Sequence, residues 1–212
     1  MKSLALLIAS AMASTSLAGC GGAAPPAAAD VAAPASAALQ VEDVVADDLT
    51  YLREEEKLAR DVYLTLGARW GLGIFANISE SEQRHMDAVL KLLVSAGLPD
   101  PAAGNGVGVF SNPGIAALYE ALVAKGLESP VEALVVGATI EDLDLNDLAN
   151  DALDTQDERI LSVYDELQKG SRNHLRSFYG ALLDQGVTYE AQFISEELLL
   201  QIVTSDRETG GS

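Results

Sequence analysis

The 212-residue chain has only two histidines, and both stand at helical spacing from another polar side chain. Glu82 and His85 are separated by two residues, as are Ser171 and His174, and Glu141 and Asp144 repeat the spacing with two carboxylates. On an α-helix this places each pair on one face, one turn apart. Carboxylate oxygen and imidazole nitrogen presented together suit iron or manganese. The single cysteine, Cys20, can form neither a thiolate cage nor an intramolecular disulfide.

Whether these groups meet depends on the helices that carry them, and the polar residues that interrupt each apolar stripe are the candidates. In helix one the stripe Leu52, Ala59, Tyr63 and Leu66 has Glu56 at its missing position. Glu54 and Glu55 are rivals for that position, and a register using Val62 in place of Tyr63 takes Glu55. Arg53, Lys57, Arg60 and Asp61 read as a solvated face, and Glu54 is expected to be exposed. In helix two, Ile78, Val89 and Leu92 share a face with Glu82 and His85. In helix three, Leu134, Ala138, Leu145 and Leu148 enclose Glu141, with Asp144 one turn on. In helix four, Ile160, Val163, Leu167, Phe178 and Ala181 enclose His174, with Ser171 one turn before it. A lone glutamate here is ordinarily a half-solvated edge residue and a lone histidine a satisfied core residue. Agreement of four helices at similar depth outweighs those readings. Several acids facing one another cost several kcal/mol each unless they neutralise or share a cation.

Local signals bound the elements. Helix one is expected from about Asp47 to Arg69, ending at Trp70-Gly71-Leu72-Gly73, and helix two from about Ser79 to Ala96, stopped by Gly97 and Pro99. Residues 97–112 read as a Gly- and Pro-rich loop, followed by a short helix through Ile115, Leu118, Tyr119 and Leu122 that ends at Gly126. Ser129-Pro130-Val131-Glu132 is a capping box that opens helix three, which reaches about Leu153. Thr155-Gln156-Asp157-Glu158 repeats the pattern and opens helix four, to about Gln185. Gly170 inside that helix costs up to about 1 kcal/mol relative to Ala, which points to a packing or site reason. A final short helix follows Ser195. No strand-like alternation of useful length occurs, so the fold class is all-α. The expected architecture is an antiparallel four-helix bundle with an extra helix in the crossover between helices two and three.

The N-terminus reads differently. Met1-Lys2 precedes an apolar and small-residue run, Leu4 to Ala18, too short to span a membrane as a mature helix. It ends in Leu17-Ala18-Gly19-Cys20, which resembles the lipobox of bacterial lipoproteins. That resemblance implies a signal peptide over 1–19 and a lipidated Cys20, firmly held because more than one acyl chain is attached. It also implies a cell-envelope location, facing the periplasm from the outer membrane in a Gram-negative cell. Residues 20–46 read as an Ala/Pro-rich tether, 47–206 as the folded domain and 207–212 as a disordered tail. With 13 Lys and Arg against 32 Asp and Glu, the net charge is −19. Such a surface repels phosphate backbones, so a nucleic-acid partner is not expected.

The helical residues resemble the ferritin-like superfamily, its rubrerythrin branch in particular. Glu56-Lys57-Leu58-Ala59-Arg60-Asp61-Val62-Tyr63 is similar to that family's first helix and favours Glu56 over Glu55. Ser81-Glu82-Gln83-Arg84-His85 resembles its second-helix Glu-x-x-His, and Glu141-Asp142-Leu143-Asp144 its third-helix Glu-x-x-Glu. His174 keeps the fourth-helix histidine, but Ser171 replaces the glutamate that bridges or chelates there. The stretch from about Leu49 to Ser205 is also similar to the domain-of-unknown-function 2202 family. The phrases that carry this likeness are Arg53 to Tyr63 and Gly170-Ser171-Arg172-Asn173-His174-Leu175-Arg176.

The ferritin-like resemblance implies two iron or manganese ions held by Glu56, Glu82, His85, Glu141, Asp144 and His174. Glu56 and Glu141 would bridge, and Glu82, His85 and His174 would be terminal ligands. The activity it implies is oxidation of ferrous iron or reduction of peroxide. No Cys-rich module accompanies the domain, so turnover would need an external electron donor. Loss of the helix-four carboxylate favours the alternative, a non-catalytic metal-binding or interaction lipoprotein. Tyr63 could hydrogen-bond a ligand carboxylate or simply pack in the core.

Overall fold

The computed structural model describes residues 35–209; Cys20, the apolar run before it and the last three residues lie outside them. Six helices form, α1 (Ala35–Trp70), α2 (Gly73–Ser95), α3 (Pro113–Gly126), α4 (Pro130–Asp151), α5 (Glu158–Asp184) and α6 (Glu196–Thr204), with no strand among the described residues.

Several starts follow local chemistry. Asn112 accepts the Gly114 and Ile115 N–H groups ahead of Pro113, Ser129 accepts the Glu132 N–H ahead of Pro130, and Ser195 accepts the Leu198 N–H. Each satisfies backbone donors that a helix N-terminus leaves open. Gly71 and Gly97, at φ 67° and 71°, make the left-handed turns after α1 and α2.

Three boundaries differ from the sequence expectation. Helix α1 begins at Ala35 rather than near Asp47, taking in part of the expected tether. Alanine is the best helix former, and extending an existing helix costs little. Helix α2 begins at Gly73 rather than near Ser79: Leu72 precedes it in extended conformation with no side-chain cap, and the burial of Phe75 and Ile78 sets the start. Helix α5 is capped by Asp157, not Thr155. The Thr155 hydroxyl accepts the Asp157 N–H, and the Asp157 carboxylate then accepts the Arg159 N–H. Glu208, placed by the sequence in the tail, pairs with Arg172 and Arg176 on α5.

The core has two apolar clusters. The larger centres on Tyr63, Phe75 and Phe178, whose ring centroids lie 5.4 to 5.9 Å apart. The smaller contains Leu49, Leu52, Val89, Leu92, Leu93, Leu148, Tyr164 and Leu167. Helices α1 and α5 run from the smaller cluster to the larger, and α2 and α4 from the larger to the smaller. The second and third of the four long helices, α2 and α4, therefore point the same way, so the chain between them must travel back along the molecule. On all four helices the interrupting acids and histidines fall between the two clusters.

The returning segment, residues 96–112, corrects the reading of α1's polar side. Arg53, Glu54, Lys57 and Asp61 are buried rather than solvated. Arg53 pairs with Asp100 at 3.0 Å, and Glu54 accepts the Ser111 and Asn112 N–H groups at 2.5 and 2.8 Å. Lys57 pairs with Asp61, donates to the Gly106 carbonyl at 2.7 Å and lies over the Phe110 ring. Asp61 also accepts from Arg60 and from the Gly108 N–H. The loop covers this face, and mutual pairing makes the burial of its charges tolerable. On the far side of α4, Asp142 accepts from the Tyr189 hydroxyl and from the Gln192, Phe193 and Ile194 N–H groups, tying down the approach to α6.

Candidate metal centre

Each of the four long helices places an ionisable side chain in the layer between the two clusters. Glu56, Glu82, His85, Glu141, Asp144 and His174 are all buried. Five of them form two groups whose ligand atoms lie within 4.8 Å of one another, Glu56–Glu82–His85 and Glu82–Glu141–His174, and either group could hold a metal ion.

Glu82 belongs to both. Its Oε2 lies 2.8 Å from His85 Nδ1 and its Oε1 lies 2.8 Å from His174 Nδ1. The groups are completed by Glu56 Oε2 at 3.2 Å from His85 Nδ1 and Glu141 Oε2 at 3.3 Å from His174 Nδ1. The imidazoles stack, with centroids 5.6 Å apart. Glu82, rather than Glu56 or Glu141, is thus the carboxylate common to the two groups, because it alone reaches both rings.

Asp144 joins neither group. It accepts the Ser171 hydroxyl at 2.5 Å, while Ser171 also contacts the Leu167 carbonyl one turn back. Ser171, one turn before His174 on α5, is therefore hydrogen-bonded to a carboxylate of α4. Glu55 is buried but lies outside both groups, beside Tyr51, whose hydroxyl is pushed up first by burial and then by the charge of Glu55. Tyr63 fills both roles open to it: its ring packs on Phe75 and Phe178, and its hydroxyl donates to Glu141 Oε1 at 2.5 Å.

The electrostatics are those of too many acids in too little water. Burial raises the Glu56 carboxyl to about 7, with the neighbouring Glu82 adding and His85 opposing. Burial also raises Glu141, and it raises Asp144 well above the usual range, helped there by the charge of Glu56. For Glu82 burial pushes up as well, but His174 and His85 outweigh it and hold the carboxyl below its usual range. Burial alone would lower both imidazoles. The flanking glutamates reverse this, raising His85 well above its ordinary value and His174 to about 10.

The donor set fits a cation in a second respect. Glu56 Oε1, Glu82 Oε1 and His174 Nδ1 are buried and have no hydrogen-bond partner. Glu82 Oε1 and His174 Nδ1 at least pair with each other at 2.8 Å, whereas an unpaired buried atom such as Glu56 Oε1 costs about 1–3 kcal/mol. A cation between the carboxylates and imidazoles would satisfy them and remove the repulsion together.

The family described as an uncharacterized protein domain, DUF2202, matches residues 45–206. The chain belongs to the DUF2202 family. The matched DUF2202 span holds every residue of both groups. Uncharacterized protein MJ0754 of Methanocaldococcus jannaschii is 53% identical over 164 residues, 77% of this chain and 89% of that protein. The crystal structure of hypothetical protein MJ0754 from Methanococcus jannaschii aligns with this DUF2202 chain at a TM-score of 0.76. The alignment covers 77% of this chain and 93% of that one.

Proposed function

We propose that this DUF2202 protein is a cell-envelope lipoprotein whose domain is a ferritin-like four-helix arrangement holding two iron or manganese ions. One observation carries the reading: Glu82 stands between two buried carboxylate–histidine groups, with an imidazole 2.8 Å from each of its oxygens. A shared carboxylate flanked by two near-equivalent donor sets is what a pair of ions needs, whereas a single ion would leave one set unsatisfied. Glu56 and His85 would hold one ion, Glu141 and His174 the other, and Glu82 both. Tyr63 orients Glu141 through its hydroxyl, a support that fixes ligand geometry.

Ferrous ions held by these residues would supply the two electrons that, with two protons, reduce hydrogen peroxide to two waters, becoming ferric, and an external donor would restore them. The envelope placement rests on Leu17-Ala18-Gly19-Cys20 behind the apolar run. Among the described residues no helix is long and apolar enough to cross a membrane.

The hydrogen bond between Ser171 and Asp144 favours a second reading of the same centre, in which metal is held or delivered without turnover. The purified protein, loaded anaerobically with ferrous iron, separates the two. Two ions per chain that oxidise when peroxide is admitted support redox function, and two that stay ferrous support holding. No bound iron or manganese refutes both.

A further inference from the structure

Gly170 lies in the interior of α5, where glycine is unfavourable relative to alanine. An ideal Cβ at position 170 would fall 2.6 Å from His85 Cε1 and closer still to Nε2. The imidazole of α2 therefore rests on the bare backbone of α5. The ring has little freedom to yield: its Nδ1 edge faces Glu56 and Glu82 at 3.2 and 2.8 Å, and the His174 ring stacks beside it. Gly180 on the same helix is the counterexample, being exposed with nothing within 4 Å of its would-be Cβ.

We infer that Gly170 is the positioning residue for His85, and that its missing side chain keeps Nδ1 aimed at the Glu56–Glu82 side of the centre. The inference rests on the two-ion reading and deepens it, because it assigns Gly170 to one ion alone. A methyl group at 170 must displace the ring, which takes Nδ1 out of its present alignment with Glu56 and Glu82. The direct clash falls on His85 alone, whose atoms are the three nearest to the Gly170 Cβ position, so the His174 side of the centre keeps its own Glu82 and Glu141 donors.

The test titrates the metal-free protein with Co(II), following the ligand-field spectrum, the number of ions bound and the melting temperature without metal. Wild type and Gly180→Ala should bind two ions, and Gly170→Ala one, with the loss of one component of the spectrum. In metal-free protein Gly180→Ala should raise the melting temperature and Gly170→Ala should lower it. In a His85→Ala background the ring is gone, so Gly170→Ala should then stabilise as Gly180→Ala does and should cause no further loss of metal. Two ions bound to Gly170→Ala with the wild-type spectrum would overturn the inference. So would equal destabilisation by Gly170→Ala with and without His85, or failure of the double variant to fold. A wild type that binds no Co(II) refutes the metal reading instead, while the melting comparison still decides whether Gly170 seats His85.

Discussion

Glu82 Oε1 and His174 Nδ1 form an ion pair 2.8 Å apart across two helices. Glu82 Oε2 lies equally close to His85 Nδ1, so one carboxylate serves both groups. Neutralising Glu82 as Glu82→Gln is therefore expected to abolish binding of both ions, whereas Glu56→Gln or Glu141→Gln removes one. Ferrous iron or manganese at 100 times its dissociation constant should stabilise wild type by about 2.7 kcal/mol. Glu82→Gln should lose that gain entirely. Metal content per chain and thermal denaturation with and without metal check both statements.

Acid and base should act on the metal-free protein with a definite sign. Glu56 is raised from 4.5 to about 7 and His174 from 6.5 to about 10. Through each window the folded state holds more protons than the unfolded, so stability falls as pH rises. The Glu56 contribution is complete below about 4.5 and is lost by about 7; that of His174 is complete below about 6.5 and is lost by about 10. Glu82, held low, acts oppositely and loses its contribution on acidification. Urea denaturation in chelator should show stability declining between pH 5 and 9. Glu56→Gln should flatten the lower part of the decline and His174→Gln the upper. Metal-loaded protein should gain stability with pH, because ligands release protons on binding.

The buried pair beneath the crossover segment offers a test away from the centre. Asp61→Ala removes the carboxylate that meets Lys57, Arg60 and the Gly108 N–H. Leaving Lys57 buried without it should cost about 3–5 kcal/mol, and Lys57→Met with Asp61→Leu should recover much of the loss. Urea midpoints of wild type and the two variants decide. A change within about 0.5 kcal/mol for Asp61→Ala would restore the reading of a solvated face.

The lipid anchor is tested by Cys20→Ala. The variant is expected to leave the membrane fraction and to lose acyl labelling. Unchanged fractionation and labelling would remove the anchor from the proposal.

Amphipathic period is a local property, so the sequence alone placed Glu82, His85, Glu141 and His174 on inward stripes and marked Gly170 as a glycine needing a reason. Pro130 behind Ser129 likewise announced α4. Periodicity could not sort Glu54, Glu55 and Glu56, because all three are buried, each toward different neighbours. Glu54 meets the crossover segment, Glu55 lies beside Tyr51, and Glu56 meets His85. Nor could it reveal that Lys57 and Asp61 lie under a loop, since a polar helix face covered by a Gly-rich segment carries no apolar signature. The carboxylate shared by both groups was likewise decided in three dimensions. That role needs atoms of α2 to lie within reach of histidines on α2 and α5 at once, a distance set by how helices far apart in sequence pack.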